Sequence, residues 1–165
     1  MSERVIAGDV VAAFLEAAGV RAAFGVISIH NMPILDAIER RGVIRCVPAR
    51  GEAGATNMAD AYARVSGGLG VVFTSTGTAA GNACGALVEA LTAGTPLLHV
   101  TGQIDVVFLD RERSYIHEAK DQLAMLRAVS KRAFRVWSTG TLLGTLREAV
   151  AAALTPPAGP VSVEI

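Results

Sequence analysis

Charge is scarce in this chain. Its 15 Lys+Arg and 15 Asp+Glu make up 18% of 165 residues, against 52% hydrophobic, where soluble domains typically carry about 25% charged residues. The length suits one domain with a real core. An intrinsically disordered chain is excluded, because such chains are rich in charge and poor in apolar side chains. The signs cancel to a formal net charge of zero, which offers phosphate backbones no electrostatic grip and argues against a nucleic-acid partner. Cysteine is scarcer still. Cys46 and Cys84 by themselves make neither a disulfide framework nor a four-ligand zinc site, so a reduced, cytoplasmic setting is the default.

A long unbroken apolar run is also absent. Residues 1–8 carry Glu3 and Arg4 and no apolar stretch of export type, so no signal peptide is expected. Val65 to Val88 is uncharged but is punctuated by Gly67, Gly68, Gly70, Gly77, Gly81 and Asn82. A bilayer helix needs about 20 predominantly apolar residues in a row, so no membrane span is expected. We read a strand, a turn and a helix, all hidden from water. The apolar surplus points to a large interface with another chain or domain.

What is present is an alternation of helical and strand periods. Helical spacing runs from Val10 to Ala18, over Met32 to Arg40, Glu52 to Arg64, Ala79 to Thr92, Leu123 to Arg127 and Leu142 to Leu154. Strands are expected at Arg21 to Val26, Val43 to Val47, Gly70 to Thr74, Pro96 to Thr101, Ala133 to Trp137 and Pro160 to Ile165. Gly102 to Asp121 is irregular and charged. Such alternation implies right-handed crossovers and a doubly wound α/β three-layer sandwich, with a mainly parallel sheet of about six strands. There is no internal repeat or interdomain linker. The last residues read as a strand without a polar tail, so we expect an excised domain with more protein downstream, or a naturally short subunit.

Ligands of such sheets bind at the carboxyl ends of the strands. The loops there are Val26 to Asn31, Pro48 to Glu52 and Thr74 to Asn82. Glu52 opens a helix, where an acid simply complements the helix dipole. Its neighbours Ala49, Gly51, Ala53, Gly54 and Ala55 are small, however, and leave room for something flat. A lone acid in a roomy, apolar pocket also suits proton transfer at a heterocycle. The Thr74 to Asn82 turn reads as a tight strand-to-helix junction or a weak phosphate cradle, with no Walker lysine and no GxGxxG. His30, His99 and His117 are too scattered for a metal motif. His99, within an apolar strand, reads as a satisfied core histidine, and Cys84 as a small hydrophobe.

Together these segments resemble the N-terminal pyrimidine-binding domain of thiamine diphosphate enzymes, the acetolactate synthase, benzoylformate decarboxylase and pyruvate decarboxylase group. The likeness covers nearly the whole chain. It rests most on Arg50-Gly51-Glu52 leading into Asp60-Ala61-Tyr62-Ala63-Arg64, where the family places its essential glutamate before a "GYAR"-like helix end. Phe24-Gly25-Val26, Ile29 to Ala37, Thr74 to Asn82, Thr101-Gly102-Gln103, His117-Glu118, Ser130-Lys131 and the closing Gly-Pro-Val strand follow in family order. The departures are Ile27-Ser28 for the family's Pro-Gly, Gly51 for the His before the glutamate, and Gly77-Thr78-Ala79 for Gly-Pro-Gly.

The resemblance implies roles. Glu52 would hydrogen-bond N1′ of the cofactor's aminopyrimidine, favour its imino tautomer and so activate the ylid. Ser28, Ser75, Thr76, Gly77 and Asn82 would bind cofactor, while Ile29, His30 and His117 would face the substrate, a 2-oxo acid. The family's Gly-Asp-Gly…Asn motif is missing, so diphosphate and Mg2+ would be held by a diphosphate-binding domain of another chain across a homodimer or higher oligomer. A flavin (FAD) in a missing middle domain stays open. Two other readings stay open as well: a catalytically degenerate assembly or regulatory module, and an unrelated flavodoxin-like nucleotide binder.

Overall fold

A computed structural model describes residues 5–165; Met1 to Arg4, on which part of the N-terminal reading rests, lie outside the described residues. The elements run α1 (Ala7–Ala17), β1 (Ala22–Gly25), α2 (Met32–Arg41), β2 (Arg45–Pro48), α3 (Glu52–Ser66), β3 (Gly70–Thr74), α4 (Thr78–Ala93), β4 (Leu97–Thr101), α5 (Gln122–Val129), β5 (Arg132–Arg135), α6 (Thr139–Leu154) and β6 (Pro160–Glu164). All six strands are parallel, in the order β2-β1-β3-β4-β6-β5. The expected three-layer sandwich is therefore present, with a sheet that is wholly rather than mainly parallel.

Side-chain alternation in the strands builds two cores. Val71, Phe73, Leu98, Val100, Val161 and Val163 point to one face, where Val11 and Leu15 of α1, Ile34 and Ile38 of α2, and Leu142 and Leu146 of α6 cover them. Phe24, Val72 and Leu97 point to the other, under Ala55 and Ala59 of α3, Ala80 and Leu87 of α4, and Leu126 of α5. Strands β3, β4 and β6 are buried on both faces, which is why they read as apolar runs without a polar side. His99 is one of the few polar residues buried within them. Its Nε2 lies 2.8 Å from Thr74 Oγ1 and its Nδ1 3.0 Å from Ser162 Oγ, a hydrogen-bonded rung across three strands.

Three sequence expectations are corrected. Strand β2 begins at Arg45 rather than Val43, because β1 begins at Ala22, whose partner in the register is Arg45. Strand β5 covers Arg132–Arg135, so Trp137 leaves the sheet and is exposed. Helix α4 is not hidden all round. Ala79, Ala80, Ala83, Leu87 and Ala90 face the sheet, while Asn82, Gly85 and Val88 face outward, Val88 being 46% exposed. One face of a helix suffices to cover a sheet, so the other is left bare. No helix among the described residues is long and apolar enough to cross a membrane.

The order of strands decides where a site can form. From β1 the chain crosses by α2 to β2 on one side, and from β2 by α3 to β3 on the other, so the connections diverge between β1 and β3. Loops leaving the carboxyl ends of those two strands flank a crevice, the customary ligand position in open α/β sheets.

Candidate active site

Glu52 is the first residue of α3, after Gly51 in extended conformation. The positive end of the helix dipole favours its carboxylate. It is half-buried, and its Oε2 accepts a hydrogen bond of 3.1 Å from Asn82 Nδ2. Among the described residues it forms no ion pair. A side chain added at Gly51 or Gly54 would meet nothing within 4 Å, so the space beside the carboxylate is open. The acid is thus neither locked to a cation nor walled in.

The crevice between β1 and β3 is bridged by a second pair. His30 Nδ1 lies 3.1 Å from Ser75 Oγ, joining the loop after β1 to the loop after β3. The contact needs Gly102, where a Cβ would come within 2.6 Å of the His30 Cβ. Below it, Asn31 ties its own loop, its Oδ1 accepting from the Ser28 N–H at 2.9 Å and its Nδ2 donating to the Val26 carbonyl at 2.9 Å. Ser28 Oγ is buried and, among the described residues, has no hydrogen-bond partner. Such an orphaned hydroxyl invites a ligand atom. Ile29 beside it is 77% exposed.

The third loop turns at Gly77, whose φ of 56° few side chains tolerate. A Cβ there would lie 1.8 Å from the His117 carbonyl oxygen. His117 therefore sits directly over the start of α4, its Nδ1 3.5 Å from Thr78 Oγ1. Thr76 is buried next to it. The fold thus gathers the expected residues as Glu52 with Asn82, His30 with Ser75, and Gly77 with His117, while Ile29 makes none of these contacts.

Sequence reasoning passed over Gln122, Glu164 and Arg135, which with Gln103 form a buried polar cluster behind the third loop. The available signal was Glu164, a lone acid within an apolar strand. Elsewhere, an apolar cavity of about 360 Å³ lies under α2 against β1 and β2, lined by Phe24, Leu35, Cys46 and Val47, apart from Glu52. Cys46 and Cys84 are free, and burial pushes both thiols up, so neither is an activated nucleophile. Cys84 donates to the Ala80 carbonyl at 3.4 Å, as a small helix residue does. Among the described residues no three His, Cys, Asp or Glu side chains are grouped to hold a metal ion.

Comparison with known proteins adds a family. A model described as "Thiamine pyrophosphate enzyme, N-terminal TPP binding domain" matches residues 6–125. Human 2-hydroxyacyl-CoA lyase 2 is 37% identical over 158 residues, 96% of this chain and 24% of that protein. The acetolactate synthase large subunit of Haemophilus influenzae is 31% identical over 163 residues, 99% of this chain and 28% of that one. Acetolactate synthase isozyme 2 of Escherichia coli is 33% identical over 151 residues, 92% and 27% of the two chains. The chain spans about a quarter of the length of these curated relatives.

Proposed function

The chain belongs to the thiamine pyrophosphate enzymes as their N-terminal TPP-binding domain, and from that premise we propose that it is the pyrimidine-binding half of a thiamine diphosphate-dependent 2-oxo acid decarboxylase or carboligase. The observation that carries this is the half-buried Glu52 carboxylate, oriented by Asn82 at a helix N-terminus with open space beside it. A flat ring fits against Gly51 and Gly54, and the orphaned Ser28 Oγ supplies a spare hydrogen-bonding group in the next loop.

Thiamine diphosphate, when bound, supplies an electron sink for carbanion chemistry at a carbonyl carbon. The residues of this chain do the rest. Glu52 accepts a hydrogen bond from N1′ of the aminopyrimidine and holds a proton there, a charge-assisted contact about twice as strong as a neutral one. Thr76, Gly77 and Asn82 shape the pocket around the ring. His30, steered by Ser75 at 3.1 Å, is placed to hold or pass a proton on the substrate side, to which Ile29 and His117 are also assigned. Diphosphate and Mg2+ are assigned to a diphosphate-binding domain of another chain in a dimer or larger oligomer, and a cytoplasmic setting accords with two free cysteines.

The test is Glu52→Gln in the full-length enzyme, read as C2 proton exchange of bound thiamine diphosphate by NMR. The fold should persist and exchange should slow by about a hundredfold or more. Near-normal exchange in the variant removes the role, whereas exchange no faster than that of free cofactor in the unsubstituted enzyme favours the degenerate assembly module, whose motivation is the departure at Gly77-Thr78-Ala79 from the family's third loop.

A further inference from the structure

Gln122, the first residue of α5, is fully buried, and its amide is satisfied at both ends. Its Oε1 accepts from the Gly77 N–H at 2.6 Å and from Thr76 Oγ1 at 3.3 Å. Its Nε2 donates to the Gly102 carbonyl at 3.0 Å and to Glu164 Oε2 at 3.0 Å. The orientation is forced, since the nitrogen faces two acceptors and the oxygen a peptide N–H. Glu164, at the end of β6, is fully buried; its Oε2 also takes the Gln103 Nε2 at 3.1 Å, and its Oε1 takes Arg135 Nε. Arg135 continues outward to Asp110 at 3.0 Å. A chain of polar contacts therefore runs from the surface to the turn of the third loop.

We propose that Gln122 is a positioning residue for the Thr76–Gly77 turn, and that Glu164 sets which way its amide faces. Glu164, tied through its other oxygen to Arg135 Nε, stands with the Gly102 carbonyl opposite the Gln122 nitrogen, so the amide oxygen is left for Gly77. The grip matters at this point because Gly77 holds φ 56° and ψ −103°, a region open to glycine, whose own backbone freedom does not confine the turn to it. His117 closes over it from the other side. The turn so held is the one assigned to the pyrimidine pocket, so this inference rests on the proposed function.

Two variants test it: Gln122→Leu, which removes both ends of the amide, and Glu164→Gln, which keeps shape but loses the obligatory acceptor. Amide hydrogen exchange is measured by NMR at Gly77 and, as a reporter of global stability, at Val72 in β3. In Gln122→Leu, Gly77 should exchange at least about tenfold faster relative to Val72. In the full-length enzyme the apparent affinity for thiamine diphosphate should fall about tenfold, with kcat at saturating cofactor retained. Gly77 exchange that changes only in step with Val72 overturns the proposal, as does a loosened Gly77 with cofactor affinity unchanged. Should Gln122→Leu fail to fold, Glu164→Gln decides by the same two readouts. The Gly77 measurement needs no cofactor, so its failure is distinct from a failure of the Glu52 exchange experiment.

Discussion

Asn82 Nδ2 donates to Glu52 Oε2 across 3.1 Å, joining the first turn of α3 to the second turn of α4 from positions 30 residues apart. The contact points one carboxylate oxygen at a neutral donor and, among the described residues, leaves the other without a partner and open to a ligand. Replacing the donor by an acceptor reverses the interaction. Asn82→Asp should set two carboxylates against each other, a repulsion of about 1 kcal/mol at such separations in water and more where water is excluded. Thiamine diphosphate binding to the full-length enzyme, measured by calorimetry, should weaken about tenfold. Asn82→Ala should weaken it less. Equal effects of the two substitutions would mean that the charge beside Glu52 is immaterial.

Gly77 and Gly85 lie on the same helix approach and should respond oppositely to alanine. At Gly77 the φ of 56° and the His117 carbonyl, 1.8 Å from where a Cβ would stand, leave no room. Gly77→Ala should cost about 1–3 kcal/mol and displace the segment over it. Gly85, inside α4, has nothing within 4 Å of its Cβ position. Gly85→Ala should therefore gain about 0.5–1 kcal/mol through helix propensity and a less flexible unfolded chain. Urea unfolding of the pair reads both signs in one experiment.

His99 makes the fold sensitive to acid. Burial lowers its pKa from 6.5 to about 4, so between those values the unfolded chain binds a proton that the folded one refuses. Stability therefore rises with pH across that window. The contribution is complete above about 6.5 and is lost as pH falls toward 4, a change of about 3 kcal/mol. Urea midpoints recorded from pH 7 to 4 should show this slope, and His99→Gln should flatten it while costing stability at pH 7 through the lost rung with Thr74 and Ser162.

How much of this was legible in sequence depends on what each residue answers to. Strand β3 falls on Gly70–Thr74 as expected, since a short uncharged run closed by glycines and a polar turn admits little else. Strand β2 does not start where its valine suggests, because an edge strand is as long as its one partner and β1 opens opposite Arg45. The bare face of α4 was invisible for another reason. The helix carries a single charge, Glu89, so its sequence has no polar side to contrast with its buried one. Glu52 could be found because the small residues around it mark a helix start with unusual room.

The linear order of residues determined the alternation of helices and strands, the parallel sheet and the placement of one acid at a helix start. These follow from periodicity and local chain stiffness, which act over a few residues. Only the tertiary structure decided that Asn82 meets Glu52, that Ser75 meets His30 and that Gln122 holds Gly77. Those pairs are 30 to 45 residues apart, and single polar contacts at such separations leave no period to read. They arise where the crossovers of a 2-1-3-4-6-5 sheet bring the loops together.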